Sequence, residues 1–468
     1  MTQESRGAHG LKRRSGFVAL GCVATLIAYG SLADAQQPSA PQCPAAQHWD
    51  PSMGMCMANA EATPQSSAAP RPQTETAAPR PHIETVAPAT RTGDMPSAAP
   101  ASLPPDSGMN MPMPGAASAA SSLMLQINQF MVYSSTSGPR GQSRLTGPGS
   151  WMLMYDNALT PRNHFRIDVM ASPEQLTVGD RGTPQLLQTE NIDAMHAHDT
   201  LMALEFRDVV TLGDGDQQHL TFLFAPRGEA AIGPVPFMHR ESAAGNPDAP
   251  LGHALQDGFH DASTVLGLQY QIARTSIEAT AFSGHDLSWP FPLHSPDSYG
   301  VRVNQALNDH VGVGASYADA LLPDDAGNGE HNQFISAWLT TSHVIDGNTL
   351  KSSLIWGRTR AGHGSYFDSF LGEAVYQRGR NAVYGRAEAL QIAPEQLAIS
   401  SSAGARWVQA LTIGYERTLF ENDGASLRLG GSYTADFVPR DFRPAYGSDP
   451  NGAKLYLRLQ FMRSGFRF

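Results

Sequence analysis

From about Leu123 to the last residue, apolar side chains recur at every second position in a series of short stretches. The connections between the stretches alternate between long and short. Leu411, Ile413 and Tyr415 interleave with Thr412, Gly414, Glu416 and Thr418. Leu427, Leu429 and Tyr433 interleave with Ser426, Arg428, Gly430, Ser432 and Thr434, and Val383, Gly385, Ala387 and Ala389 with Arg386 and Glu388. Period two is the signature of strands. The second face of each stretch is too polar for the dry interior of a sandwich. A transmembrane barrel requires this pattern, with apolar side chains toward lipid and polar ones toward a wet lumen, on strands of about nine to eleven residues.

Read from the C-terminus, residues 437–453, 392–405, 358–367, 319–331 and 284–297 are long connections, separated by tight ones at 421–424, 379–381, 346–348, 308–309 and 273–274. Outer-membrane barrels have short periplasmic turns and long outer loops, and Asp-Gly is a favoured hairpin turn. Upstream, 227–262, 172–200 and 134–149 become outer loops and 213–217 and 158–162 become turns. This predicts sixteen strands across 122–468, with any even number from twelve to sixteen compatible. The stretch 200–212 reads equally well as a helix. Phe468 ends the chain as the aromatic of a barrel-sorting signal, and a phase slip near Ser464-Gly465 calls for a bulge.

The residues before this body are of a different kind. Lys12-Arg13-Arg14, an apolar run from Phe17 to Leu32 and Ala33-Asp34-Ala35 form a secretory signal pattern, so residues 1–35 are expected to be removed. Residues 36–121 hold 16 of the 34 prolines and a single aromatic, Trp49, which predicts a disordered periplasmic tail. The formal charge of −11 and the absence of any Lys-rich run exclude general nucleic-acid binding. Three cysteines cannot build a disulfide framework, although Cys43 and Cys56 could close one loop around Trp49.

Two loops concentrate histidine. One carries His196, His198 and Asp199; the other carries Met238, His239, His253, Asp257 and His260. Imidazoles with neighbouring carboxylates suit copper, zinc and nickel; the plainer alternative is that they cross-link a loop folded into the lumen. In the tail, Met53, Met55, Cys56 and Met57, and then Met109, Met111 and Met113, set soft sulfur ligands at alternate positions, a set suited to Cu(I). His363-Gly364-Ser365 has the spacing of a lipid A deacylase-like site, which needs an acidic partner facing lipid, and a lone His-x-Ser is common by chance.

The strings His196-Ala197-His198-Asp199 and Pro236-Phe237-Met238-His239-Arg240, with Pro250-Leu251-Gly252-His253 and Asp257 before His260, resemble a little-characterised family of exported barrel proteins. That family is associated with copper and heavy-metal tolerance. The resemblance spans roughly 151–265, and His253-Ala254 stands where the family has paired histidines. It implies metal ligation by the loop histidines.

The expectation is an outer-membrane barrel that handles or passes metal ions, copper first among them, and has no other cofactor and no enzymatic activity. The alternative is a general porin whose lumen charges, such as Arg386, Glu388 and Arg428, set selectivity. A lipid-modifying enzyme is a third class. Expected partners are outer-membrane lipid, the barrel assembly machinery, and metal ions or small solutes.

Overall fold

A computed structural model describes residues 47–50, 55–58, 121–213, 215, 217–257, 262–284, 293–323, 329–360, 362, 364–400 and 404–466. The signal pattern, Met53, Met109, Met111, Met113, His260, His363 and Phe468 lie outside the described residues.

Within the tail, β1 (Gln47–Asp50) and β2 (Met55–Ala58) form an antiparallel hairpin that sets Trp49 opposite Cys56. These eight residues are paired, within a tail whose composition predicts disorder.

The body is a closed antiparallel barrel. Its strands are β3 (Ser122–Thr136), β4 (Ser143–Thr146), β5 (Gly149–Thr160), β6 (Asn163–Ala171), β9 (Leu201–Thr211), β10 (Gln218–Gly228), β11 (Ala262–Ile272) and β12 (Thr275–Ser283). They continue through β13 (Ser298–Ala306), β14 (Val311–Pro323), β15 (Gly329–Ile345), β16 (Asn348–Arg360), β17 (Tyr366–Arg378), β18 (Asn381–Ile392), β19 (Arg406–Asn422), β20 (Ala425–Phe437) and β21 (Asn451–Phe466). A short hairpin, β7 (Thr183–Pro184) with β8 (Ala194–Met195), stands apart from the wall. Both β4 and β5 pair with β3 and are interrupted only at Gly147-Pro148, so they count as one strand. The described wall has sixteen strands, as the alternation of connections predicts. The stretch 200–212 is a strand, β9, and not a helix.

Closure joins the first strand to the last, from Gly452 opposite Thr136 to Phe466 opposite Leu123. The register shifts between Ser464 and Phe466, which absorbs the phase slip visible in the sequence. The tight turns follow their local chemistry. At Asp346-Gly347 both residues have positive φ, 50° and 75°, the backbone of the two-residue turn that matches strand twist.

Alternation along the strands becomes inside and outside. On β19 Leu411 is 54% exposed and Ile413 63%, while Thr412 is 4% and Glu416 2%. Leu354, Val383, Leu429, Tyr433 and Leu455 extend the apolar outer surface. Such a belt is costly in water and favourable in hydrocarbon, so the barrel spans a membrane. Arg386, Glu388 and Arg458 face inward and are buried.

Candidate functional site

The interior is occupied by the long connection after β10, residues 229–257, which is tied at several backbone and charged groups to the wall around it. At its start the Ala231 amide donates to Thr280 (2.9 Å), the Gly233 amide donates to Ser316 (2.8 Å), and Glu229 pairs with Arg302 (2.5 Å). Further on, the Leu251 amide donates to Glu388 (2.6 Å), and the carbonyl of Asp248 accepts from Arg386 (2.7 Å) while its carboxylate pairs with Lys454.

Two tyrosines mark the middle of the path. Tyr456 donates to the Gly245 carbonyl at 2.7 Å, and its hydroxyl lies 3.1 Å from that of Tyr384. The Tyr384 ring lies across Gly414 of the neighbouring strand, where an added Cβ would stand 2.1 Å from the ring. Glycine is required there by this close approach.

The pivot is Arg240, whose side chain is fully buried. Its guanidinium donates to Glu373 at 2.6 Å, to Asp257 at 2.7 Å and to the Val235 carbonyl at 3.0 Å. Ser242 adds contacts to Glu373 (2.9 Å) and Ser353 (2.6 Å). Burial opposes the charge on Arg240, but Glu373 and Asp257 outweigh it and hold the guanidinium above its ordinary value. A buried charge is tolerated only when paired in this manner.

Most of the loop ligands expected from the sequence are engaged inside the protein. His253 begins a short helix, His253–Gln256, and its Nδ1 lies 2.6 Å from Asp257. Asp257 in turn binds Arg240, so it anchors the loop. In the neighbouring connection, residues 172–200, His198 Nδ1 lies 2.7 Å from Glu174, His196 lies 3.1 Å from Glu190, and Asp199 binds Arg227 at 2.6 Å. Burial would raise the Glu174 carboxyl, but His198 and backbone amides outweigh it and keep it low. Among the described residues no group of three or more His, Cys, Asp or Glu side chains converges as a metal site. Glu174, Glu190 and Asp199 are instead each paired with a single Arg or His side chain, and Asp257 with one of each. Met55, Cys56 and Met57 lie on β2.

His239 differs. Its Nε2 lies 3.1 Å from the Met170 sulfur, and burial, helped by His198, pushes the imidazole down to about 4. Met238 beside it packs against the cluster that Met152, Met154, Met170, Met202 and Ala203 form. These wall methionines were missed in the sequence, although Met152-Leu153-Met154 repeats the alternate spacing seen in the tail.

The His253–Asp257 pair makes the loop pH-sensitive. Burial lowers the imidazole pKa, but Asp257 first and Glu190 next outweigh it, while His196 opposes; the net shift is upward. Phe237 packs edge-on against the same ring. A raised imidazole contributes stability that is complete below about pH 6.5 and is lost as pH rises through the folded value. Asp257 is held low by His253 and then Arg240, against burial, so its contribution is lost only under acid conditions. Proteolysis within 229–257 should therefore accelerate as pH rises above about 6.5, and His253→Gln should flatten that dependence. An unchanged profile in the variant would remove this role.

No family model matches the sequence, and no curated protein matches it. Solved structures of similar fold include OmpF of Salmonella typhi in complex with daunomycin, at 11% identity and a TM-score of 0.46 over 72% of this chain and 97% of that one. An anion-selective porin from Comamonas acidovorans gives 12% and 0.44 over 73% and 99%. OprB of Pseudomonas putida at high pH gives 12% and 0.46 over 74% and 94%.

Proposed function

We propose that this protein is an outer-membrane barrel for the passage of small hydrophilic solutes, with residues 229–257 as its constriction. The observation that carries the reading is the contrast between surfaces. The outside is an apolar belt, whereas the lumen is lined by polar and ion-paired side chains and crossed by a loop tied to strands on several sides. Paired charges on a lumen wall order water and discriminate among ions and polar solutes by field and width. Long connections facing outward, short turns facing the periplasm and the tail on the periplasmic side follow from the same reading.

His253, Asp257, His198 and Asp199 are engaged in pairs within the protein, which supports a role in holding the loops in place. In planar bilayers the full-length protein should show small conductance steps. A chain in which 231–256 is replaced by a short Gly/Ser linker should show steps several-fold larger. Absence of conductance from both forms would end the porin reading.

A further inference from the structure

The outward faces of β16 and β17, at the end that bears the long connections, carry charged and aromatic groups that solute passage does not use. Arg358 stands opposite Asp368, and Arg360 opposite Tyr366. Asp368 organises this corner. It accepts from Arg358 Nε and Nη2 at 2.8 Å each and from the Trp356 indole at 2.9 Å. Both guanidiniums lie over the Tyr366 ring, 5.5 and 5.4 Å from its centroid, and the Tyr366 hydroxyl donates to Gln333 at 3.3 Å. The Arg358 side chain is still 39% exposed, and its Nη1 makes no hydrogen bond among the described residues.

Next to this corner, toward the middle of the wall, the outer surface is hollowed. In the cross-strand row Leu354, Gly372, Ala387, Leu411, the two central residues are small. One row nearer the rim, Ala389 stands between Phe370 and Gln409. A groove of about 710 Å³ results, bounded by Leu354, Trp356, Phe370, Leu411 and Phe437. Leu354, Phe370, Leu411 and Phe437 are each at least half exposed, so the groove opens toward lipid and not toward the lumen. At about 3.4 Å per residue, Arg358 lies about 14 Å along the strand from Leu354. Trp407, stacked on Phe370 at 6.0 Å, adds to the aromatic girdle that marks the membrane surface between the two levels.

Guanidiniums at the interface above an apolar channel match a phosphate joined to an acyl chain. The fork of arginine suits phosphate oxygens, and the channel takes hydrocarbon. A protein partner at this depth would need the apolar surface but not the cations. We infer that Arg358, Arg360 and the groove beside them bind the phosphorylated glycolipid of the outer leaflet, with its phosphate at the guanidiniums and one acyl chain in the groove. The site goes beyond solute passage and takes from that reading only the outward facing of the long connections. Ordinary snorkelling of arginine to the interface makes the opposite forecast, because it retains no particular lipid.

The test is native mass spectrometry of the full-length protein in detergent, with lipid A or phosphatidylglycerol added in parallel. The wild type should retain one lipid A and no phosphatidylglycerol. The double variant Arg358→Gln and Arg360→Gln should retain roughly tenfold less lipid A. Ala387→Trp, which fills the groove and keeps both arginines, should lose as much. Ile277→Trp, on the lipid-facing side of β12, should bind as the wild type does. Equal retention by wild type and double variant, or equal retention of the two lipids, would overturn the site. So would an oligomer that Ala387→Trp dissociates without altering lipid A retention, since the groove would then seat a second copy of the chain. Should the double variant not fold, Ala387→Trp decides. Orientation is read separately, by a membrane-impermeant thiol reagent on intact cells carrying Ser365→Cys. Labelling with no preference for lipid A refutes the site alone, whereas no labelling refutes the outward facing and the glycolipid assignment with it.

Discussion

Arg240→Ala should release the lumenal loop, raise single-channel conductance and expose 229–257 to protease. The side chain is 0% exposed and bridges Glu373 on the wall to Asp257 at the far end of the loop. Its loss leaves two buried carboxylates facing each other with reduced compensation, since Arg386 still reaches Glu373 and His253 still reaches Asp257. Removing one partner of a buried pair costs about 3–5 kcal/mol. At about 1.4 kcal/mol per factor of ten, the open population should rise by roughly a hundredfold to a few thousandfold. Arg240→Lys should recover part of this, because one ammonium supplies charge but not the forked donors that reach both acids. Wild-type conductance and protease resistance in Arg240→Ala would show that the other anchors suffice.

Ile413→Arg should weaken the barrel by about 2–4 kcal/mol when unfolding is followed in urea with lipid vesicles. Ile413 is 63% exposed near the middle of β19, where a lipid-facing charge meets the hydrocarbon midplane. Glu421→Arg, near the end of the same strand, should cost less than about 1 kcal/mol, because the penalty falls toward the interface. Equal effects at the two positions would mean that the apolar outer face is not in lipid.

The wall was readable in the sequence because its determinants are local. Alternation fixes the face of each residue, and residues such as Asp346-Gly347 fix each turn. Ambiguity at 200–212 has a physical source: Leu201, Met202, Ala203 and Leu204 form an unbroken apolar run, and the extra residue in the β6–β9 register breaks the alternation there.

The interior was not readable, since its partners lie far apart in the chain. Arg240 meets Glu373, 133 residues on, and Asp248 meets Lys454, 206 residues on. Local pattern marks His253 and Asp257 as candidate ligands but cannot reveal that a buried arginine claims the carboxylate first. The methionine cluster is hidden similarly, because Met152 and Met170 become neighbours only when β5 and β6 pair.

The seam between β3 and β21 has a consequence for biogenesis. Because Leu123 is matched with Phe466, the first strand of the wall to leave the ribosome waits for β21. Until then it has no partner on that side, and exposed rims of this kind invite promiscuous self-association. The wall cannot close until β21 has been made, and a product terminated before β21 should be cleared by envelope proteases instead of accumulating.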